Sequence, residues 1–246
     1  MQAYFRLSKK IYVIRVFAFP FSGGNSFSFR KLNSYLDKNI ELIPIDYPGH
    51  GARIKEVLLD NITNMVEDIY ARQRDLLRGQ FALYGHSLGG LLAFLIAGKL
   101  SKLGSPSPCH LIISGTPAPN SSFVTKDMHL LPRKAFYEAL STLGGVSEEI
   151  LQNEELMLFF EPVIKADLRA IDSYCFEASP LFNIPITVMR GTNDQVTIDN
   201  ARAWENFSTG TFSYIEVHGD HFFVLQNPAT VGMELNQILK KYLCGK

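Results

Sequence analysis

Apolar and polar positions follow two rhythms along this chain. Short, predominantly apolar runs at residues 11–19, 40–45, 81–84, 110–114, 184–190 and 211–217 read as strands buried in a sheet covered on both faces. The stretches at 27–36, 63–77, 88–103, 199–207 and 228–243 carry apolar residues at helical spacing. Asn61 or Thr63 caps the second of these, and Gly104 stops the third. Strand and helix in alternation predict an α/β fold with a mostly parallel sheet and helices on both faces. Residues 120–178 break the rhythm, with no convincing strand and helical periodicity over 148–160 and 163–175. That block reads as a helical lid over the sheet's C-terminal edge, where α/β proteins bind ligands.

Composition narrows the picture without redrawing it. A chain of 246 residues that is 46% hydrophobic suffices for one domain over residues 1–246 with a full core. Lys plus Arg equals Asp plus Glu, 24 against 24, which argues against nonspecific binding to nucleic acid. Cys109, Cys175 and Cys244 are scattered, with no spacing for a metal or a disulfide framework, so a reducing cytoplasm is the expected setting. The run at 11–21 follows Lys9 and Lys10 as a signal peptide would, but Arg15 interrupts it and no small-residue cleavage site follows. No stretch approaches the roughly 20 apolar residues of a membrane span, so no membrane partner is expected.

The chemistry concentrates at Gly85-His86-Ser87-Leu88-Gly89, a G-x-S-x-G between a predicted strand and a predicted helix. In that context the serine sits on a tight, strained turn with its hydroxyl above the sheet, and its neighbours must be small. A serine hydroxyl needs a histidine to take its proton and an acid to orient that histidine. In nucleophile-elbow proteins the partners follow in the order Ser, acid, His. His221, in His218-Gly219-Asp220-His221 after the last strand, fits the base, with His218 as its rival. Asp194, in the turn after the fifth strand, fits the acid. Asp199 looks like a helix cap, and Asp220 adjoins His221 too closely in sequence to face it. The H-x-x-H spacing has no further ligand cluster beside it, so no metal is expected. An oxyanion hole needs backbone N–H donors. Leu88 supplies one, and the loop Pro20-Phe21-Ser22-Gly23-Gly24 the other. That loop also resembles a phosphate cradle, but no Walker lysine follows it.

Together these segments resemble the type II thioesterases, the editing enzymes of nonribosomal peptide and polyketide synthases, with the α/β-hydrolase fold. Phe19 to Gly24 matches an F-P-[YF]-[AS]-G-G loop, Pro48 to Arg53 a P-G-R-G-x-R segment, and Gly85 to Gly89 a G-H-S-M-G elbow. Ser114, Gly115, Ala118 and Pro119 match S-G-x-x-A-P; Gly144, Gly145 and Glu149 match G-G-x-x-x-E. Lys165 to Leu168 is L-R-A-D-like, and Gly219, His221, Phe222 and Phe223 match G-x-H-F-F. His50 stands where the pattern has arginine, Leu88 where methionine is common, and Ser22 where alanine is common.

The resemblance implies a catalytic Ser87, Asp194 and His221, with the Ser22 and Leu88 N–H groups as oxyanion donors. It implies hydrolysis of acyl groups from the phosphopantetheine arm of a carrier protein docked near the lid, with no cofactor of the enzyme's own. Phe159, Phe160, Leu156 and Met157 are candidates for an acyl passage or for plain core packing. Three other readings remain open: a medium-chain fatty acyl thioesterase, a carboxylesterase (though no H-G-G-G loop is present) and a non-catalytic carrier-binding protein.

Overall fold

The computed structural model describes residues 13–144, 153–178, 181 and 183–243. Among these, six strands form a sheet in the order β2-β1-β3-β4-β5-β6, every neighbouring pair parallel. The strands are β1 (Ile14–Phe19), β2 (Ile40–Pro44), β3 (Phe81–His86), β4 (His110–Ser114), β5 (Ile186–Gly191) and β6 (Phe212–Val217). Eight α-helices are described: α1 (Arg30–Asn33), α2 (Ile62–Gln73), α3 (Leu88–Lys102), α4 (Arg133–Leu143), α5 (Glu154–Asp172), α6 (Ile198–Arg202), α7 (Phe223–Gln226) and α8 (Pro228–Leu243).

The strands alternate their side chains between two cores. Ile14, Val16, Ala18, Ala82, Tyr84 and Ile112 face a cluster with Phe29 and Leu32 around α1 and Val231, Leu235 and Leu239 of α8. Phe17, Phe81, Leu83, Leu111, Ile113 and Val188 face Met65 and Ile69 of α2, Leu91 and Ile96 of α3, and Trp204. Burial on both faces is the reason β3 and β4 read as unbroken apolar runs.

Four elements differ from the sequence reading. The helix expected at 27–36 is a 3₁₀ turn, Ser26–Phe29, followed by a single turn of α-helix. Asn25 caps that turn with its side chain, and the Ser34 hydroxyl ends the helix by donating to the Lys31 carbonyl. Helix α4 falls in the predicted helical block but was not foreseen as an element. Two helices expected on either side of Pro162 are one continuous α5; the buried stripe of Met157, Ile164, Leu168 and Ile171 outweighs the hydrogen bond the proline lacks. The helix at 199–207 starts instead at Ile198, capped by Thr197, whose hydroxyl accepts from Asn200; Asp199 lies exposed in the first turn. Asn61, not Thr63, caps α2. The expected first residues of β1, Ile11 and Tyr12, together with Cys244, Gly145 and Glu149 and the predicted helix start at 148, lie outside the described residues.

The turn from β3 into α3 forces the closest packing in the sheet. A Cβ on Gly85 would lie 2.0 Å from the Gly89 carbonyl oxygen, and one on Gly89 would lie 1.9 Å from the Phe19 carbonyl oxygen. These are backbone atoms that cannot turn aside. A Gly85→Ala substitution is therefore expected to give protein that fails to fold or melts far below wild type, as followed by circular dichroism; a near-native melt would contradict this packing.

His110, buried in β4, is a second structural constraint. Tyr242 donates to the Cys109 carbonyl (2.7 Å) and so accepts from His110 Nδ1 (3.0 Å), while Thr187 faces Nε2 (2.8 Å). The neutral ring satisfies all three groups. Burial, aided by the charge of Lys241, lowers the His110 pKa to about 4. The unfolded chain takes up this proton below about pH 6.5, and the native chain only near 4. The group's contribution to stability is thus lost as pH falls through that window, at about 1.4 kcal/mol per pH unit. Urea unfolding between pH 6.5 and 4.5 should show a shallower loss for His110→Gln than for wild type; equal slopes would mean that the native ring protonates freely.

Candidate active site

Ser87 lies between β3 and α3 with φ 56° and ψ −119°, a conformation rare for a side chain larger than glycine. Strand β4 and the loop after it hold it there. The Ser87 N–H donates to the Ser114 carbonyl (2.8 Å), and the Thr116 hydroxyl donates to the Ser87 carbonyl (2.9 Å). Trp204 fixes Thr116 in turn, its indole N–H reaching the Thr116 carbonyl (2.9 Å).

The loops after β5 and β6 carry the other two groups. They are laced together by the Thr192 N–H on the Val217 carbonyl (2.9 Å) and the Asn193 N–H on the Gly219 carbonyl (2.8 Å). Asp194 and His221 are both buried, 6% and 4% exposed. Asp194 Oδ1 is 2.9 Å from His221 Nδ1, and His221 Nε2 is 3.1 Å from Ser87 Oγ. A carboxylate only accepts, so Nδ1 carries the proton and Nε2 is left with its lone pair toward the serine hydroxyl. Burial alone would raise the Asp194 pKa; hydrogen bonds from His221 and the Val196 N–H, with the nearby imidazole charge, hold it below the usual carboxylate range. The Arg190 guanidinium braces the turn through the Asp194 and Val196 carbonyls.

The rivals are placed elsewhere. His218 is exposed. Asp220 turns away from His221: its carboxylate accepts from the Phe222 N–H (2.7 Å) and from Gln226 (2.6 Å), which shapes the turn. Among the described residues, no group of three or more His, Cys, Asp or Glu side chains is arranged to hold a metal.

His86, the middle letter of the elbow, is fully buried beneath the site and packs on His221 with ring centres 5.3 Å apart. Burial lowers its pKa to about 3. It therefore stays neutral, with Nδ1 hydrogen-bonded to the Ser114 hydroxyl (2.8 Å).

Leu88 opens α3, so its N–H is among those with no partner within the helix. Across from it, the Phe21 carbonyl accepts from the Gly24 N–H (2.8 Å). The peptide is planar and trans, so the Ser22 N–H on the other side of that unit points away from the turn. Ser22 and Ser87 both border a mainly apolar cavity of about 250 Å³. Met157, Phe160, Ile164 and Leu168 of α5 form its far wall, with Leu140 and Leu143 of α4. These α5 positions share one helical face. Leu156 and Phe159, proposed from sequence for the same passage, do not line the cavity and are exposed, 41% and 52%.

Sequence reasoning assigned no role to Asp167 and left that of His50 unassigned. Both are buried and in contact, His50 Nε2 to Asp167 Oδ2 3.0 Å, and the same oxygen accepts the Gly23 N–H (2.7 Å). They are 117 residues apart in sequence, and no local pattern links them.

The chain is similar to known proteins along nearly its whole length. The thioesterase-domain family model matches residues 14–239. The gramicidin S biosynthesis protein GrsT of Aneurinibacillus migulanus is 34% identical over 87% of this chain and 84% of its own. The structure of ClbQ from the colibactin NRPS/PKS pathway superposes with a TM-score of 0.87 at 33% identity, covering 93% of this chain and 98% of that one. YbtT, a type II thioesterase from the yersiniabactin NRPS/PKS pathway, gives 0.83 at 26% identity over 93% and 92%. A family match over nearly the whole chain, with relatives of this kind, means that the protein belongs to the thioesterase family and is a type II thioesterase of α/β-hydrolase fold.

Proposed function

We propose that Ser87 is the nucleophile, His221 its general base and Asp194 the group that orients the base, with the Leu88 and Ser22 N–H groups as oxyanion donors. The observation that carries this reading is the hydrogen-bonded chain from Ser87 Oγ through His221 to Asp194 at the mouth of an apolar cavity. The Ser87 hydroxyl gives its proton to His221 Nε2 as Oγ bonds to the thioester carbon. The carbonyl oxygen takes up the negative charge between the two backbone donors. The carbon–sulfur bond then breaks, and the thiolate leaves with the proton that His221 returns. Water repeats the sequence on the acyl-enzyme, giving the free acid and restoring Ser87. No cofactor is required; the phosphopantetheine arm belongs to the substrate.

The substrate is an acyl group stalled or mis-primed on a carrier-protein domain of a nonribosomal peptide or polyketide synthase. Relatives named for such pathways support this. Residues 120–178 serve as a lid, since α4 and α5 wall the cavity. The exposed Leu156, Leu158 and Phe159 on the outer face of α5 are the docking surface for the carrier. The cytoplasm is the place of action, in keeping with the free thiols of Cys109 and Cys175. Among the described residues, no helix is long and apolar enough to cross a membrane. Relatives named as medium-chain fatty acid synthase thioesterases favour a second reading, release of medium-chain fatty acids.

Ser87→Ala and His221→Ala should each lower kcat on an acyl-N-acetylcysteamine thioester by at least about 10³-fold with an unchanged melting temperature. His218→Ala should stay within a few-fold of wild type. Activity surviving in Ser87→Ala would remove the assignment, and a larger loss from His218 than from His221 would transfer the base.

For the substrate, acetyl-phosphopantetheinyl carrier protein should be cleaved with a higher kcat/KM than acetyl-CoA, and Phe159→Asp should reduce only the former. Equal rates on both would mark a general acyl hydrolase. A strong preference for decanoyl over acetyl carriers would support fatty acid release.

A further inference from the structure

His50 and Asp167 form a buried polar pair under the loop that carries Ser22. Asp167 comes from α5, one wall of the cavity; His50 comes from the turn after β2. The His50 ring meets acceptors at both nitrogens. Nδ1 lies 2.9 Å from the Pro48 carbonyl oxygen, and Nε2 lies 3.0 Å from Asp167 Oδ2. A carbonyl oxygen can only accept, so Nδ1 carries a proton. Asp167 Oδ2 also accepts from Gly23, and a carboxylate oxygen has no hydrogen to give the ring, so Nε2 carries one too. The ring is an imidazolium paired with a carboxylate, 3% and 0% exposed.

We propose that the His50–Asp167 pair positions the oxyanion loop, with the protonated His50 holding the carboxylate that fixes the Ser22–Gly23 peptide. This rests on the reading of the Ser22 N–H as an oxyanion donor. Two neighbouring peptide planes set the direction of that N–H. The first is locked by the Gly24 N–H on the Phe21 carbonyl, and the second by the Gly23 N–H on Asp167. Gly23 has φ +77°, and a Cβ there would lie 2.7 Å from Ile164 Cγ1, so the loop lies tight against α5. Asp46 anchors the loop's other end, accepting from the Ser26 N–H (2.6 Å) and hydroxyl (3.1 Å), but this leaves the Ser22–Gly23 peptide unconstrained. Neither His50 nor Asp167 lines the cavity, so both are positioning residues.

The pairing is sensitive to pH. The charged or titratable groups that face His50 are Asp167 from α5 and, around its own turn, Asp46 and the ring of Tyr47, 5.5 Å away. Burial acts to lower the His50 pKa, but the hydrogen bond and charge of Asp167, the Pro48 carbonyl and the charge of Asp46 outweigh it and raise it. The cation therefore persists through the usual histidine range and is lost as pH rises past the raised value. Loss of either proton releases Pro48 or Asp167, and the loop loosens.

The test is kcat and KM on hexanoyl-N-acetylcysteamine across pH for wild type, His50→Gln, His50→Arg and Asp167→Asn. Wild-type kcat should fall on the alkaline side. His50→Gln and Asp167→Asn should lose about 10- to 100-fold in kcat at neutral pH, with KM within about three-fold. His50→Arg, a donor that cannot lose its charge, should keep more of kcat than His50→Gln and show no alkaline fall. An unchanged neutral kcat in both His50→Gln and Asp167→Asn, or an alkaline fall that persists in His50→Arg, would overturn the proposal. Because the fall is read on wild type and His50→Arg alone, a misfolded Asp167→Asn does not spare it. Ser87→Ala in parallel separates the two readings: if it keeps activity the reading of the site fails, whereas if it is inactive and the His50 variants behave as wild type, only the role of the pair fails.

Discussion

The strained backbone at Ser87 is the constraint on which the other features of the site depend. A left-handed φ at a serine persists only where its surroundings over-determine it. Here two hydrogen bonds hold its peptide groups, and glycines on either side let strand, helix and the Phe19 carbonyl of β1 approach to contact distance. That approach brings the first N–H groups of α3 level with the loop after β1. Were the elbow relaxed, the serine would swing into line with the helix, and His221 would have no hydroxyl within reach.

Around that point the polar groups divide into those kept neutral and those kept charged. His86 and His110 are buried among hydroxyls and aromatic rings, and both stay uncharged far below the ordinary histidine range. His50 is buried as deeply, yet a carboxylate and a carbonyl turn the balance the other way. The difference lies in partners rather than depth. A buried imidazole facing a hydroxyl can be satisfied by one proton, while one that faces two pure acceptors needs both.

Much of the fold, and the grouping of Ser87, Asp194 and His221, was legible because the signals are local. A strand end followed by glycine, serine and glycine announces the elbow, and the turns holding Asp194 and His221 follow the runs that form the buried β5 and the half-exposed edge strand β6. Pro228–Leu243 matches its pattern end to end, and α2 starts where Asn61 caps it, although it stops at Gln73 rather than at 77. What escaped depends on tertiary packing or on capping hydrogen bonds that the apolar pattern does not show. Pro162 argued for a helix break that tertiary packing cancels, and Phe27 to Leu36 carries a helical pattern that Asn25 and Ser34 cut short. The contact between His50 and Asp167 joins segments that sequence order keeps far apart, and only the folded sheet brings them together.

The division of labour between sheet and helical segment has an evolutionary consequence. Ser87, His221 and Asp194 sit on turns that end strands β3, β6 and β5, and the loop that carries Ser22 ends β1. The far wall of the cavity comes from α4 and α5, between β4 and β5. Mutations that enlarge, shorten or reshape that wall can accumulate without moving a reacting atom, so descendants can explore new acyl groups while keeping the same chemistry. Asp167 is where this freedom ends: it rides on the cavity wall but grips the loop after β1, so any rebuilding of α5 that loses its carboxylate also loses its hold on Gly23.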